Sequence, residues 1–401
     1  MTRQAHSRPV GTVGPVLVVG TGLLGTSLGL VLAGAGVEVL LSDSSPTSQR
    51  LAVDLGAGRP VSTMGAEEPR LVVVATPPDV AGSCVVEALR LYPGAVVTDV
   101  ASVKEAVWDD VRGESRAAGD PGLAARYVGS HPMAGRERSG AGAADADLFI
   151  GRPWVVVGHP TSSDEAVLAV RTLATDVGAV PLEMDARTHD HSVALVSHAP
   201  QMVSSLLAAR LADAPAEALG LAGQGLRDTT RIAASDPRLW TAIVAGNSGP
   251  VVEVLDALRE DLDDLLSHLH AAAKEGPLLG GSVGAVARLM EAGNRGVARI
   301  PGKHGGAPQR FAEVEVLIPD RPGQLGRLFS ELGEMDVNIE DLTLDHSSGR
   351  RMGLARILVD PPRALGAERE LVARGWSIIA HADGRDHRDA RRRGRTGDTH
   401  G

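Results

Sequence analysis

The sequence predicts an α/β chain in three parts: an N-terminal parallel sheet with its covering helices, an all-helical segment, and a small C-terminal β-α-β-β-α-β unit. Three observations predict it. Apolar runs that do not alternate, at 15–19, 71–75 and 95–100, are spaced by helical stretches and read as parallel strands buried on both faces. From about Asp185 the apolar spacing becomes helical, in segments 186–211, 214–234, 237–268 and 281–293. Past a glycine-, proline- and base-rich stretch at 296–310, a run that alternates from Phe311 to Ile318 opens a second, smaller α/β unit. A chain of 401 residues supports two or three such cores.

Composition excludes several classes of function. The net charge of -10 disfavours non-specific binding to nucleic acid or to an acidic membrane. Aromatic residues make up only 2%, too few for base-stacking platforms. Cys84 is the single cysteine, which removes an intramolecular disulfide and any cysteine-based zinc site, and no metal is expected. Residues 1–14 read as a polar lead-in without a signal-peptide core, and no apolar run reaches the length of a membrane span. A soluble, cytoplasmic protein is expected.

The first strand runs directly into Gly20-Thr21-Gly22-Leu23-Leu24-Gly25 and then into a helix. A second strand, 37–41, ends in Ser42-Asp43. This is G-x-G-x-x-G between strand and helix with an acid at the end of the next strand, the signature of a Rossmann-type dinucleotide site. Gly20 permits the tight turn, Gly22 lets a pyrophosphate approach the backbone, and Gly25 lets the helix lie close to the sheet. The helix that starts at Leu23 points its free N–H groups and partial positive charge at the phosphates. Asp43 accepts from the ribose hydroxyls and repels a 2′-phosphate, which favours NAD over NADP. Thr76, at the carboxyl end of the 71–75 strand, lies where ligands bind in such sheets.

Ser102 follows the 95–100 strand and has two readings: a cap for the next helix, or a hydroxyl that reaches into the crevice and orients a reacting group. Gly129-Ser130-His131-Pro132-Met133-Ala134-Gly135-Arg136-Glu137-Arg138-Ser139-Gly140 follows. Pro132 biases His131 away from helical dihedrals, so the imidazole is expected at a strand end or on a loop, and from the order of the chain in a loop after a strand, beside the nicotinamide. Arg136 and Arg138 either meet substrate carboxylates or pair with neighbouring acids. Residues 153–157 are expected to be the last strand before the helices. In the helical part, His191 and His198 stand at i, i+7 and are expected to share a face. Its apolar faces predict helix packing and a homodimer.

In the C-terminal unit, strands at 311–318, 337–344, 353–359 and 376–381 alternate with helices from Asp320-Arg321-Pro322-Gly323 to about Met335 and from 362 to 373. That order is the ferredoxin-like arrangement. The charged tail from Asp383 is short of apolar residues and is expected to be disordered.

Taken together, Gly20 to Gly25 with Asp43, Asp99-Val100-Ala101-Ser102-Val103-Lys104, Gly129 to Gly140, His198-Ala199-Pro200, and Asp228 to Arg231 with Trp240 resemble the prephenate dehydrogenase family over residues 15–300. Residues 311–382 resemble an ACT domain, a small-molecule effector module. The resemblance implies an NAD-binding Rossmann domain at 15–184, a helical substrate and dimerisation domain at 185–295, a linker at 296–310 and a ferredoxin-like ACT domain at 311–382. It implies oxidative decarboxylation of prephenate to 4-hydroxyphenylpyruvate with NAD as hydride acceptor, and control by an aromatic amino acid, tyrosine. His131 is the implied base and Ser102 its partner or that of the substrate hydroxyl. Arg231 is implied to anchor a substrate carboxylate, His198 to line the pocket, and Glu137 to stand at its mouth. Trp240 and Asp228 are implied as support, although Asp228 and Arg231 at i, i+3 also suit a surface pair. Two alternatives stand beside this: an arogenate dehydrogenase forming tyrosine directly, and a non-catalytic amino-acid or nucleotide sensor.

Overall fold

The computed structural model describes residues 10–136, 139–276, 281–301, 311–346 and 352–379. The chain divides into two compact units, 1–263 and 264–401. In the first, strands β1 (Val16–Val19), β2 (Val39–Ser42), β3 (Arg59–Pro60), β4 (Leu71–Val74), β5 (Val96–Asp99), β6 (Tyr127–Pro132), β7 (Pro153–Val157) and β8 (Val180–Glu183) form one sheet. Their order is β3-β2-β1-β4-β5-β6-β7-β8, the dinucleotide-binding order extended by two strands at one edge. Neighbours are parallel except β6 and β7.

The apolar runs do not alternate because both faces of the sheet are covered. Val16, Val18 and Val73 pack under Leu28 and Leu32 of α1 (Leu23–Gly34), Ala52 of α2 (Pro46–Asp54) and Val170 and Leu173 of α6 (Asp164–Asp176). On the other face Leu17, Val72 and Val74 meet Ala81, Val85 and Leu89 of α3 (Pro78–Leu91) and Val107 and Val111 of α4 (Glu105–Ala118). Helix α5 (Pro121–Ala125) leads into β6. Burying each such Val or Leu contributes about 1.5–3 kcal/mol.

Two expectations for this sheet are corrected. His131 lies at the end of β6, the strand-end alternative, rather than in a loop after it, opposite Val155 of β7 in an antiparallel pair. The bias from Pro132 excludes helix but permits extended strand just as well. Strand β7 is not the last, since β8 follows it at the sheet edge. Pro181 and the shortness of β8, four residues and largely exposed, leave little strand signal in the sequence.

The helical part runs through α7 (Ala186–Val193), a π turn at Ala194–His198, α8 (Ala199–Ala209), α9 (Ala216–Leu219), α10 (Gln224–Thr230), a 3₁₀ turn at Arg231–Ala233, α11 (Pro237–Gly246) and α12 (Ser248–Glu275). The 186–211 segment is therefore continuous but locally unwound. Pro200 has no N–H and crowds the carbonyl four residues before it, and a π turn just ahead of it relieves that crowding. The extra residue turns His198 into the interior while His191 stays near the surface, within 3.5 Å of Glu253, so the two do not share a face. The 214–234 segment breaks between α9 and α10, near Gly220 and Gly223, and the 237–268 segment breaks at the buried Asn247.

Ala186–Ala209 is also long and apolar enough to cross a membrane by length and composition, which corrects the expectation that no run is. Its buried His189, Asp190 and His198 are engaged by polar groups of the same unit, as described below. A core helix passes the same compositional test.

In the second unit α13 (Ser282–Val297) precedes β9 (Ala312–Pro319), α14 (Gln324–Glu334), β10 (Asp341–His346), β11 (Met352–Val359), α15 (Pro361–Ala373) and β12 (Ser377–Ile378). The sheet order is β10-β11-β9-β12, with every neighbouring pair antiparallel. Val314, Val316 and Ile318 of β9 turn inward to Leu328, Leu332 and Leu371 of the two helices. Gly323, at φ +84°, closes the Arg-Pro-Gly turn and starts α14. The expected tail from Asp383 lies outside the described residues.

Candidate active site

The register places the functional residues along one edge of the sheet. Val19 pairs with Val74, Val74 with Asp99, and Asp99 with Gly129, a continuous row across β1, β4, β5 and β6. These strands run in the same direction, so Gly20, Thr76 and Ser102 emerge beyond the carboxyl ends of theirs, while His131 lies within β6, two residues past the row. Three inter-strand steps separate the glycine turn from the histidine strand, about 14 Å.

The turn has the shape a dinucleotide needs. Gly20 adopts φ +100°, and a Cβ there would collide with the Ala75 carbonyl; a Cβ on Gly25 would overlap the Gly20 carbonyl. Gly22, by contrast, faces open space. It caps α1 without a side-chain hydrogen bond, which leaves the N–H groups from Leu23 onward for a ligand. Asp43 Oδ2 accepts from Thr21 N at 2.6 Å and Thr21 Oγ1 at 2.8 Å, and Oδ1 accepts from Ser45 N at 2.7 Å. The acid is thus fixed beside the turn. Thr76 Oγ1 is buried with no hydrogen-bond partner among the described residues. An orphaned hydroxyl, an open glycine and an uncapped helix start all fit a dinucleotide.

Behind His131, the sheet carries a buried ion pair. Lys104 and Asp99 are both fully excluded from solvent and paired. Asp99 also accepts from Tyr127 OH at 2.7 Å and Ala101 N at 2.9 Å. Burial lowers the Lys104 pKa against the attraction of Asp99, and burial raises that of the Tyr127 phenol. This cluster fixes the bend that holds Ser102 and the strand that holds His131.

His131 Nδ1 lies 2.9 Å from His189 Nε2, and the two rings meet at 75°. His189 Nδ1 lies 2.7 Å from Asp190 Oδ1. Asp190 also accepts the backbone N–H of Lys104 and of Glu105, each at 2.9 Å. Burial, the nearby His189 and Lys104, and then His198 push the His131 pKa well below its usual value, so the imidazole is neutral near pH 7. On the helical side, His198 Nδ1 lies 3.0 Å from Asn247 Nδ2, and the same amide donates to the Asp190 carbonyl at 2.7 Å. Trp240 meets His198 edge-on, with ring centroids 6.1 Å apart. Burial pushes the His198 pKa down to about 4.

The remaining expected residues are placed as follows. Ser102 is half-buried in the bend before α4 and does not cap that helix, because Asp190 does so from a distant part of the chain. The hydrogen-bond partner of His131 is His189 rather than Ser102. Arg231 is exposed on the 3₁₀ turn, which Gln201 ties to α8 through a 2.8 Å hydrogen bond to the Ile232 carbonyl. Asp228 accepts from Gln224 at 2.7 Å. Arg136 pairs with Asp145, the second of its two readings. Glu137 and Arg138 lie outside the described residues. Sequence reasoning missed His189, Asp190 and Asn247 as members of the site. The only signal was the adjacent His-Asp pair at the start of an otherwise apolar helix.

A dinucleotide cradle and a neutral histidine, set along one edge of one sheet, define an oxidoreductase of the hydride-transferring kind. Residues 28–183 match the family described as prephenate dehydrogenase, nucleotide-binding domain, and residues 185–279 match prephenate dehydrogenase, dimerization domain. The chain is 34% identical over 366 residues to the probable prephenate dehydrogenase NovF of Streptomyces niveus, covering 90% of this chain and 98% of the relative. A crystal structure of prephenate dehydrogenase from A. aeolicus, in complex with hydroxyphenyl propionate and NAD+, is similar with a TM-score of 0.60 and 27% identity, covering 70% of this chain and 96% of that one. The Synechocystis arogenate dehydrogenase structure is similar with a TM-score of 0.55 and 26% identity, covering 70% and 98%. The chain belongs to the prephenate dehydrogenase family and carries its NAD-binding domain.

Proposed function

We propose that the protein oxidises and decarboxylates prephenate to 4-hydroxyphenylpyruvate, as a cytoplasmic homodimer. The observation that carries this reading is the neutral His131 at the same sheet edge as the glycine turn. Bound NAD supplies the hydride acceptor. His131 Nε2 takes the proton of the ring hydroxyl as its carbon loses hydride, and loss of CO2 from the ring then restores aromaticity. No covalent intermediate with the protein is needed, so the residues act through alignment and electrostatics. The Ser102 hydroxyl hydrogen-bonds the substrate hydroxyl. Arg231 anchors a carboxylate through its bidentate fork, with His198 and Trp240 forming one wall. Asp43, Gly20, Gly22, Leu23, Gly25 and Thr76 hold the cofactor.

Arogenate differs from prephenate only by an amine in place of the side-chain keto group, and the similarity to the Synechocystis arogenate dehydrogenase favours testing it alongside. For residues 311–382, the strand order and the Arg-Pro-Gly turn support a ferredoxin-like ACT domain whose effector is an aromatic amino acid, tyrosine. Absorbance of NADH, with prephenate or arogenate and NAD or NADP, tests the reading. Turnover with prephenate and NAD is expected. Exclusive turnover of arogenate moves the substrate, and silence with all four pairs, with NAD still bound, leaves a sensor.

A further inference from the structure

We propose that His189 and Asp190 are positioning residues that fix the tautomer of His131, so that its Nε2 carries the lone pair facing the substrate. The proposal rests on the reading of His131 as base. The Asp190 carboxylate can only accept hydrogen bonds. His189 Nδ1, at 2.7 Å from it, must therefore donate. A neutral imidazole has one N–H, so His189 Nε2 is an acceptor. His131 Nδ1, at 2.9 Å, must then be the donor, and its Nε2 is left unprotonated.

The competing arrangement has His189 doubly protonated, which would make His131 an acceptor at Nδ1 and leave the proton on Nε2, the wrong form for a base. Two features oppose it. His189 is fully buried, with His131 hydrogen-bonded to its Nε2, and placing an extra cation away from water is costly. The Asp190 charge is already met by two N–H groups at the start of α4, where the helix dipole also favours an anion. Asp190 does not need an imidazolium to balance it.

The same dipeptide sets a second histidine to the opposite tautomer. The Asp190 carbonyl can only accept, so the atom of Asn247 facing it is the amide nitrogen. That nitrogen directs its other N–H to His198 Nδ1, which leaves His198 with its proton on Nε2. One wall of the pocket thus presents a base and the other a donor. As His131 accepts the substrate proton at Nε2, its Nδ1–H remains in place, and the positive charge that forms lies two hydrogen bonds from the Asp190 carboxylate. No proton moves to Asp190.

The test is long-range proton–nitrogen NMR on the full-length protein labelled with 15N-histidine, without substrate, near pH 7.5. Assignments come from single His→Gln variants. His131 and His189 are expected as Nδ1–H tautomers and His198 as Nε2–H. An Nε2–H form of His131, or a doubly protonated His189, overturns the proposal. In a second measurement His189→Ala is expected to lower kcat about 100-fold, with the substrate KM and NAD affinity within about threefold, and added imidazole to restore part of kcat. A loss of less than twofold, or a loss confined to KM, overturns it. If that variant does not fold, the wild-type spectrum decides alone. Because the spectrum needs no substrate, silence in the turnover assays sinks the reaction and leaves the tautomers standing; turnover with the wrong tautomer sinks only the present proposal.

Discussion

The carboxylate of Asp190 accepts the backbone N–H of Glu105 at 2.9 Å, so α4 is capped by a residue 85 positions later in the chain. Lys104, the residue at the cap position, makes no side-chain cap of its own. The helical part of the unit therefore completes the first turn of a helix that belongs to the sheet. Ser102 lies immediately before that turn, and His131 is reached from the same carboxylate through His189. The helical part thus holds the turn beside Ser102 and, through His189, the side chain of His131.

Replacing Asp190 by Ala leaves two N–H groups and the His189 ring without their acceptor. Loss of a cap costs about 1 kcal/mol, and hydrogen bonds to a charged group contribute about 1.5–3 kcal/mol each. The expected outcome is a destabilisation of at least about 2 kcal/mol, read as a lower urea midpoint with an unchanged slope. A midpoint equal to that of the wild type would show that the cap is dispensable.

Lys104 and Asp99 test a different rule. Neither side chain reaches solvent, so removing one partner leaves an uncompensated charge inside the protein. Lys104→Met is expected to cost about 3–5 kcal/mol. Lys104→Met combined with Asp99→Asn should recover part of that loss, because the pair then leaves no uncompensated charge of its own. Equilibrium denaturation of the two variants checks the sign: the double variant must be the more stable.

His159 stacks on Trp108 with ring centroids 3.8 Å apart, and its Nε2 is buried without a partner among the described residues. Burial, then Lys104, lowers its pKa to about 4, against about 6.5 in the unfolded chain. The folded state holds the ring neutral, so its contribution is intact above pH 6.5 and is lost as pH falls towards 4. His159→Phe keeps the stack and removes the titration. Its melting temperature should match the wild type at pH 8 and fall less steeply between pH 6.5 and 4; parallel curves would refute the assignment.

The sheet was legible because parallel strands buried on both faces leave unbroken apolar runs, and the glycine turn because each glycine answers a separate steric demand. Pro132 narrowed His131 to extended backbone but could not distinguish a loop from β6, since only the pairing with Val155 does that. The π turn at 194–198 was hidden because a helix with one extra residue keeps nearly the same composition. His189 and Asp190 were passed over for a related reason: their partners, His131 and Glu105, are 58 and 85 residues away, and no local pattern encodes such contacts.

The glycine turn separates binding from folding. Gly25 has no room for a side chain, since a Cβ would overlap the Gly20 carbonyl and push α1 off the sheet. Gly22 has open space around it, so a methyl group there disturbs nothing in the protein itself. That methyl group would occupy the space a pyrophosphate needs to reach the helix N-terminus. Gly22→Ala should therefore melt within about 2 °C of the wild type, because a surface change away from packed atoms alters stability by less than about 0.5 kcal/mol. Its affinity for NAD, measured by calorimetry, should fall at least tenfold. Gly25→Ala should lose stability and NAD binding together. If Gly22→Ala binds NAD like the wild type, the pyrophosphate does not lie over this turn, and the open face at Gly22 has another cause.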